Sequence, residues 1–164
     1  MKITFMGNPL TLVGTQLKAG NMLPDFTVTK NDLSPLTLAD TQGKTRIFLA
    51  VPSLDTPVCD MEIREFNKRA AELPNVIIYT ISMDLPFAQA RWCGAASVEA
   101  VVTASDYKDR AFAAATGTLI EELALLTRAA FVVDAAGKVV YVEYLEEITD
   151  QPDYDAILDA AKAL

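Results

Sequence analysis

The sequence predicts an α/β fold, a mixed central sheet flanked by helices. Two observations carry that prediction. Arg46 to Val51 and Val76 to Ile81 are apolar runs bounded by turn residues, the pattern of buried parallel strands, and a helical stretch lies between them. Further on, Ala129 to Val133 and Lys138 to Glu143 flank Asp134-Ala-Ala-Gly137, a hairpin signal that adds antiparallel strands.

The elements follow in order. Lys2 to Phe5 and Leu10 to Val13 read as short strands around the turn signal Met6-Gly-Asn-Pro9, an N-terminal hairpin. Gly20 to Pro24 is loop, Phe26 to Thr29 alternates like a strand, Leu36 to Leu38 is a short extended piece, and Gln42 to Thr45 is a turn. Thr56 is a good N-cap, and Pro57 then falls at N1, where its missing N–H is harmless and its φ suits a helix. Cys59 is at N3, and Cys59, Ile63, Phe66, Ala70 and Leu73 line one face of a helix that Pro74-Asn75 ends. A second helix is expected to open at Asp84, with Leu85 and Pro86 in its first turn, and to stop at Gly94. Phe87, Ala90, Arg91 and Gly94 share one of its faces, which puts Cys93 at the C-terminal end, off that stripe and partly exposed. Val101 to Thr103 is a short strand. Asp106 caps a short helix through Phe112 to about Thr116, ended by Gly117, and Thr118 to Thr127 reads as a loop or weak helix. The last helix starts near Pro152 and Asp153, with Tyr154, Ile157, Leu158, Ala161 and Leu164 on its buried stripe. No repeat, low-complexity segment or linker interrupts residues 1–164, so a single domain is expected.

Composition excludes several function classes. At 51% hydrophobic and 22% charged residues, the chain has the make-up of an ordinary globular protein. Its net charge of −8, with no basic run, argues against binding nucleic acid or an anionic membrane. No apolar run is long enough to span a bilayer, and the N-terminus lacks the apolar core of a signal peptide, so a cytoplasmic protein is expected. The absence of histidine removes Ser-His-Asp and Cys-His nucleophiles, histidine bases and the usual zinc enzymes. The two cysteines, Cys59 and Cys93, are too far apart for a Cys-x-x-Cys motif and are either inert core residues or a redox pair.

The position of Cys59 favours chemistry, with a condition. A thiolate is the nucleophile, and a free cysteine is mostly protonated at neutral pH. Making a thiol largely ionised there takes roughly 3 kcal/mol of differential stabilisation. A helix N-terminus supplies about 0.3–1 kcal/mol, or up to ~2 when partly buried, and burial of the thiol works against it. A cation must therefore also point at the sulfur. Spacing alone does not choose among Arg46, Arg64, Arg91, Arg110 and Arg128.

Pro52, Thr56 and Cys59 form a Pro-x-x-x-Thr-x-x-Cys pattern that resembles the peroxidatic site of the peroxiredoxins. The longer string Ser53-Leu-Asp-Thr-Pro-Val-Cys59 is similar to the thiol peroxidase branch of that family, the bacterial atypical two-cysteine type. Ser82-Met-Asp-Leu-Pro-Phe-Ala-Gln-Ala-Arg-Trp-Cys-Gly94 is similar to that branch's resolving-cysteine segment, with Trp92 where the family more often has Phe. The resemblance implies a thioredoxin-like fold with an added N-terminal hairpin. It implies reduction of hydrogen peroxide and of alkyl or lipid hydroperoxides through a Cys59 sulfenic acid, resolved by Cys93 as an intramolecular disulfide. It assigns the cation to Arg128, which stands before a core strand in Leu126-Thr-Arg-Ala-Ala-Phe-Val-Val-Asp134, although the preceding residues depart from the family's usual Gly-Leu-x-Ala-Arg. Thr56 and the first-turn N–H groups would be the local hydrogen-bond donors to the peroxide, and Pro52 would shield the thiolate. Thioredoxin is the implied reductant and a homodimer the implied assembly, with no metal or organic cofactor. The expected role is antioxidant defence and redox homeostasis, the alternative a peroxide-responsive regulatory protein that uses the same disulfide switch. Formation of the disulfide is expected to require unwinding of the turn after Thr56 and of the end of the Asp84 helix.

Overall fold

The structure, a computed structural model, describes residues 1–164. The chain opens with the expected hairpin, β1 (Lys2–Phe5) and β2 (Asn8–Val13). Its turn residues Met6 and Gly7 sit at φ 51° and 80°, the mirror-image turn whose twist matches that of the flanking strands. There follow β3 (Thr27–Lys30), β4 (Pro35–Thr37), β5 (Thr45–Ala50), α1 (Pro57–Arg69), β6 (Val76–Ser82), α2 (Pro86–Ala96) and β7 (Val101–Ser105). The chain continues through α3 (Ala111–Thr116), β8 (Leu119–Ile120), β9 (Leu125–Leu126), β10 (Ala129–Val133), β11 (Val139–Tyr144) and α4 (Tyr154–Lys162).

Seven strands form one sheet in the order β11-β10-β5-β6-β7-β3-β4. β5, β6 and β7 run parallel and the other pairs antiparallel, so the sheet is mixed, as predicted. Side chains alternate across each strand. Ile47, Leu49 and Val51 face Ile63 and Phe66 of α1 and Ile157 and Leu158 of α4, with Trp92 of α2 packed alongside. Phe48 and Ala50 face the other way, against Phe26 and Phe112 of α3. Phe26 and Phe112 meet edge to face at 5.1 Å, and each buried aromatic contributes about 1.5–3 kcal/mol.

Several boundaries differ from the sequence reading. Thr118 to Thr127 holds no helix, and its loop is interrupted by two short strands around a turn at Glu121 to Ala124. It supplies β8 and β9, which extend the hairpin into a second sheet, β1-β2-β8-β9. Two-residue strands carry no local signal, and the partner of β8, β2, lies about a hundred residues earlier in the chain (Leu12 pairs with Ile120), with β9 pairing in turn on β8. Gly117 is required at their start, because a Cβ there would lie 2.5 Å from the Thr15 carbonyl oxygen. α1 ends at Arg69 and continues as a 3₁₀ turn, Ala70–Glu72. Asp106 caps α3 from a distance, accepting from the N–H groups of Phe112 and Ala113, and the helix itself begins only at Ala111. In α4 the buried stripe is Ile157, Leu158 and Ala161, while Leu164 is exposed.

The largest correction concerns α2. Asp84 does not cap it. Its carboxylate accepts from Ser53 Oγ (2.7 Å), Leu54 N (2.8 Å) and Ser82 Oγ (2.7 Å), tying the loop before α1 to the loop before α2. The helix starts at Pro86, runs through Gly94 and ends at Ser97 in the left-handed conformation. Phe87, Ala90, Arg91 and Gly94 are its solvent face. The inner face is Pro86, Gln89, Cys93 and Ala96, so Cys93 is half-buried under the helix. Gln89 is what misleads: it is fully buried because its Nε2 donates to Ser82 Oγ and to the Ala104 carbonyl, both at 2.9 Å.

The hairpin is held by Glu147. Its carboxylate accepts from Thr4 Oγ1 (2.8 Å), the N–H groups of Met6 and Gly7 (3.1 Å each) and Thr149 Oγ1 (2.8 Å). Partial desolvation works against the charge, but these donors outweigh it and hold the carboxyl down to about 2, from an ordinary 4.5. The stabilisation is therefore fully present above pH 4.5 and is lost as the pH falls through about 2. Amide-exchange protection of residues 2–13 should decline over that window in the wild-type protein and show no such dependence in Glu147→Gln.

Candidate active site

Cys59 lies in the first turn of α1 and is fully buried. Thr56 caps the helix as predicted: its Oγ1 accepts from Cys59 N at 3.3 Å and donates to the Ser53 carbonyl at 3.0 Å. Thr56 is therefore not the donor expected from the sequence: its proton is committed to Ser53, and the hydroxyl keeps one acceptor lone pair free. Val58 contributes a first-turn N–H without an intrahelical acceptor.

Of the five candidate arginines, the structure brings one to the sulfur. Arg128, between β9 and β10, is 2% exposed and donates from Nη2 to Cys59 Sγ at 3.1 Å. Its Nε donates to the Ile148 carbonyl at 2.9 Å, and its Nη1 to Glu62. Arg46 is buried elsewhere, between Thr41 and the Asp134 carbonyl. Arg64 lies on the outer side of α1, while Arg91 and Arg110 are exposed.

Glu62 was missed by the sequence reading. It sits three residues after Cys59, on the same helical face, and it is fully buried. A glutamate inside the apolar stripe of Cys59, Ile63 and Phe66 was the available signal. Burial pushes its carboxyl up to about 7, and the attraction of Arg128 only partly opposes this. For Arg128, desolvation is outweighed by Glu62 and Cys59, so the guanidinium is raised above its ordinary value and stays charged. When Glu62 is protonated, the charge of Arg128 is directed at the sulfur alone. When Glu62 is ionised, that charge is shared.

A pocket of about 210 Å³ opens over this group. Phe5, Val58, Leu123, Leu125 and Ile148 give it an apolar wall, and Pro52, Thr56, Arg128 and Thr149 complete it. Phe5 comes from the hairpin and Leu123 and Leu125 from the β8–β9 segment, contributions that no local pattern indicated. Cys59 itself does not line the pocket; it meets the pocket through Arg128, whose Nη2 reaches its sulfur. Pro52, Thr56, Cys59 and Arg128 are thus brought together. Cys93 is not part of the pocket: its Sγ is 3.3 Å from Thr103 Oγ1 on β7, and both cysteines are free thiols. No group of histidine, cysteine or carboxylate side chains could hold a metal ion.

Comparison with known proteins covers almost the whole chain. The Redoxin family model matches residues 18–158. A thiol peroxidase of Clostridium acetobutylicum is 56% identical over 163 residues, 99% of each chain. A thiol peroxidase of Bacillus subtilis is 53% identical over 163 residues, 99% of this chain and 98% of that one. Among solved structures, a peroxiredoxin-like protein from Aquifex aeolicus superposes with TM-score 0.93 at 39% identity, covering 99% of this chain and 96% of that one. A thiol peroxidase from Chromobacterium violaceum has the same fold, with TM-score 0.91 at 22% identity over 99% and 96%.

The buried Glu62 gives the site a measurable pH signature. Between 4.5 and about 7 the folded chain holds a proton that the unfolded chain has released, so stability falls as the pH rises through that window. Denaturant unfolding should show Glu62→Gln gaining on the wild type from pH 4.5 to 7, by at most on the order of 3 kcal/mol.

Proposed function

The chain belongs to the Redoxin family, within the thiol peroxidase branch of the peroxiredoxins, and from that premise we propose that Cys59 is the peroxidatic cysteine of a thiol-dependent peroxidase. The observation that carries the proposal is the 3.1 Å contact between two buried groups, Arg128 Nη2 and Cys59 Sγ. A guanidinium there favours the thiolate over the thiol.

The geometry suggests how the reaction runs. A hydroperoxide enters the pocket with its terminal oxygen toward Cys59. The thiolate attacks that oxygen, the O–O bond breaks, and the distal oxygen leaves as hydroxide or alkoxide and takes up a proton. Negative charge moves from sulfur to the leaving oxygen during the step, and Arg128 and the Val58 N–H are placed to stabilise it there. The free lone pair of Thr56 Oγ1 accepts the hydroperoxide O–H and aligns the bond to be broken. Pro52 excludes water. The apolar wall from Phe5 to Ile148 suits the organic part of an alkyl or lipid hydroperoxide.

Cys93 then resolves the sulfenic acid as an intramolecular disulfide. Cys59 and Cys93 lie in intact helical turns with their sulfurs engaged elsewhere, which supports a cycle in which both turns partly unwind for the sulfurs to meet. Thioredoxin supplies the two electrons that reopen the disulfide. The working form is a cytoplasmic homodimer without metal or organic cofactor, serving antioxidant defence. No helix is long and apolar enough to cross a membrane.

Intact mass after one equivalent of hydroperoxide tests the chemistry. The reduced wild-type protein should lose about two mass units, and Cys93→Ser should instead gain one oxygen on Cys59. Absence of any change in either protein would make Cys59 an inert core thiol.

A further inference from the structure

Cys59 and Cys93 each adjoin a member of one polar clasp that ties α1 to α2. Asp60 accepts from the Trp92 indole N–H at 3.1 Å through Oδ1, and from Arg64 Nε at 2.8 Å through Oδ2. Arg64 lies over the Trp92 ring, 5.7 Å from its centroid, and donates from Nη1 to the Ala96 carbonyl at 3.3 Å. That carbonyl belongs to the last turn of α2, where no intrahelical partner exists. One carboxylate in the first turn of α1 therefore anchors the last turn of α2. None of the three side chains lines the peroxide pocket or touches the Cys59 sulfur.

The two thiols are turned to different partners, Cys59 to Arg128 and Cys93 to Thr103 on β7. A disulfide requires Cα atoms about 4.4–6.8 Å apart with their Cβ atoms facing. Trp92, the neighbour of Cys93, is tied to Asp60, the neighbour of Cys59, so the clasp restrains the turn of α2 that carries Cys93.

We infer that Trp92, held by Asp60 and Arg64, is a positioning residue that keeps the two cysteine turns folded and so sets the rate of the resolution step. The inference rests on the two-cysteine reading above. In that step the Cys93 sulfur bonds to the sulfenic sulfur of Cys59, the S–O bond breaks, and hydroxide leaves with the Cys93 proton as water. A sulfenic acid that waits can meet a second hydroperoxide, which oxidises it to the sulfinic acid and is itself reduced to water or alcohol. The clasp therefore also sets how much enzyme is lost to overoxidation.

Trp92→Phe keeps an aromatic ring in place and removes the N–H donor. Rapid acid quench after one equivalent of hydrogen peroxide, followed by intact mass, separates formation of the sulfenic acid from its resolution. In Trp92→Phe, resolution should be about three- to tenfold faster, while formation stays within about twofold of wild type. The sulfinic fraction under excess peroxide should fall. Resolution at or below the wild-type rate, with normal sulfenic acid formation, would overturn the clasp's role. A wild-type protein that forms sulfenic acid but never a disulfide would instead overturn the two-cysteine reading. If Trp92→Phe does not fold, Arg64→Met, at a side chain 50% exposed, decides by the same measurement.

Discussion

Arg128 directs its guanidinium at three parts of the chain at once: the Ile148 carbonyl, the Glu62 carboxylate and the Cys59 sulfur. A charge taken out of water in this way is unfavourable by several kcal/mol unless its partners are well placed, and removing a partner from a buried pair typically costs about 3–5 kcal/mol. The architecture around the site meets that requirement. α1 delivers Cys59 and Glu62 one turn apart on the same face. The lead-in to β10 delivers Arg128, and the segment after β11 delivers the Ile148 carbonyl. The hairpin, latched through Glu147 to that same segment, brings Phe5 to close the pocket above.

The same helices face a second demand. Attack on peroxide needs the first turn of α1 held rigidly, with Thr56 capping it and Arg128 on the sulfur. In the proposed two-cysteine cycle, disulfide formation needs that turn, and the end of α2, to move. The polar ties between these segments are peripheral to the reacting atoms: Asp84 joins the two loops, and Asp60, Arg64 and Trp92 join the two helices. Such partly exposed contacts are individually weak, so they can hold one conformation without making its opening prohibitive.

How much of this was legible in the sequence follows from the range of each signal. The strand–helix–strand unit, the hairpins and the cap at Thr56 are written in local periodicity and turn chemistry, and they stand close to where they were expected. Cys59 and its burial were legible for the same reason. β8 and β9 were not, since β8 exists only because the distant β2 offers it a partner, and β9 because β8 does. The face of α2 was misjudged because a glutamine, buried with its Nε2 donating to Ser82 and Ala104, stands at the inner position where an apolar residue was expected. Choosing Arg128 over the other arginines took the family resemblance, because contacts across 69 residues of chain leave no local trace. Glu62 was overlooked although its place in the apolar stripe was visible, since a carboxylate in a core position reads as an interruption until its cation is found.

The central claim is that Arg128 makes Cys59 reactive in the folded site. Single-turnover oxidation of Cys59 by hydroperoxide, compared between wild type and Arg128→Lys, tests it most directly. Lysine keeps a charge near Glu62, so the fold should survive, but it cannot serve three acceptors with a planar fork. The account predicts a rate about 100-fold lower in a protein that still unfolds cooperatively. A folded Arg128→Lys variant that reacts within about threefold of wild type would contradict it.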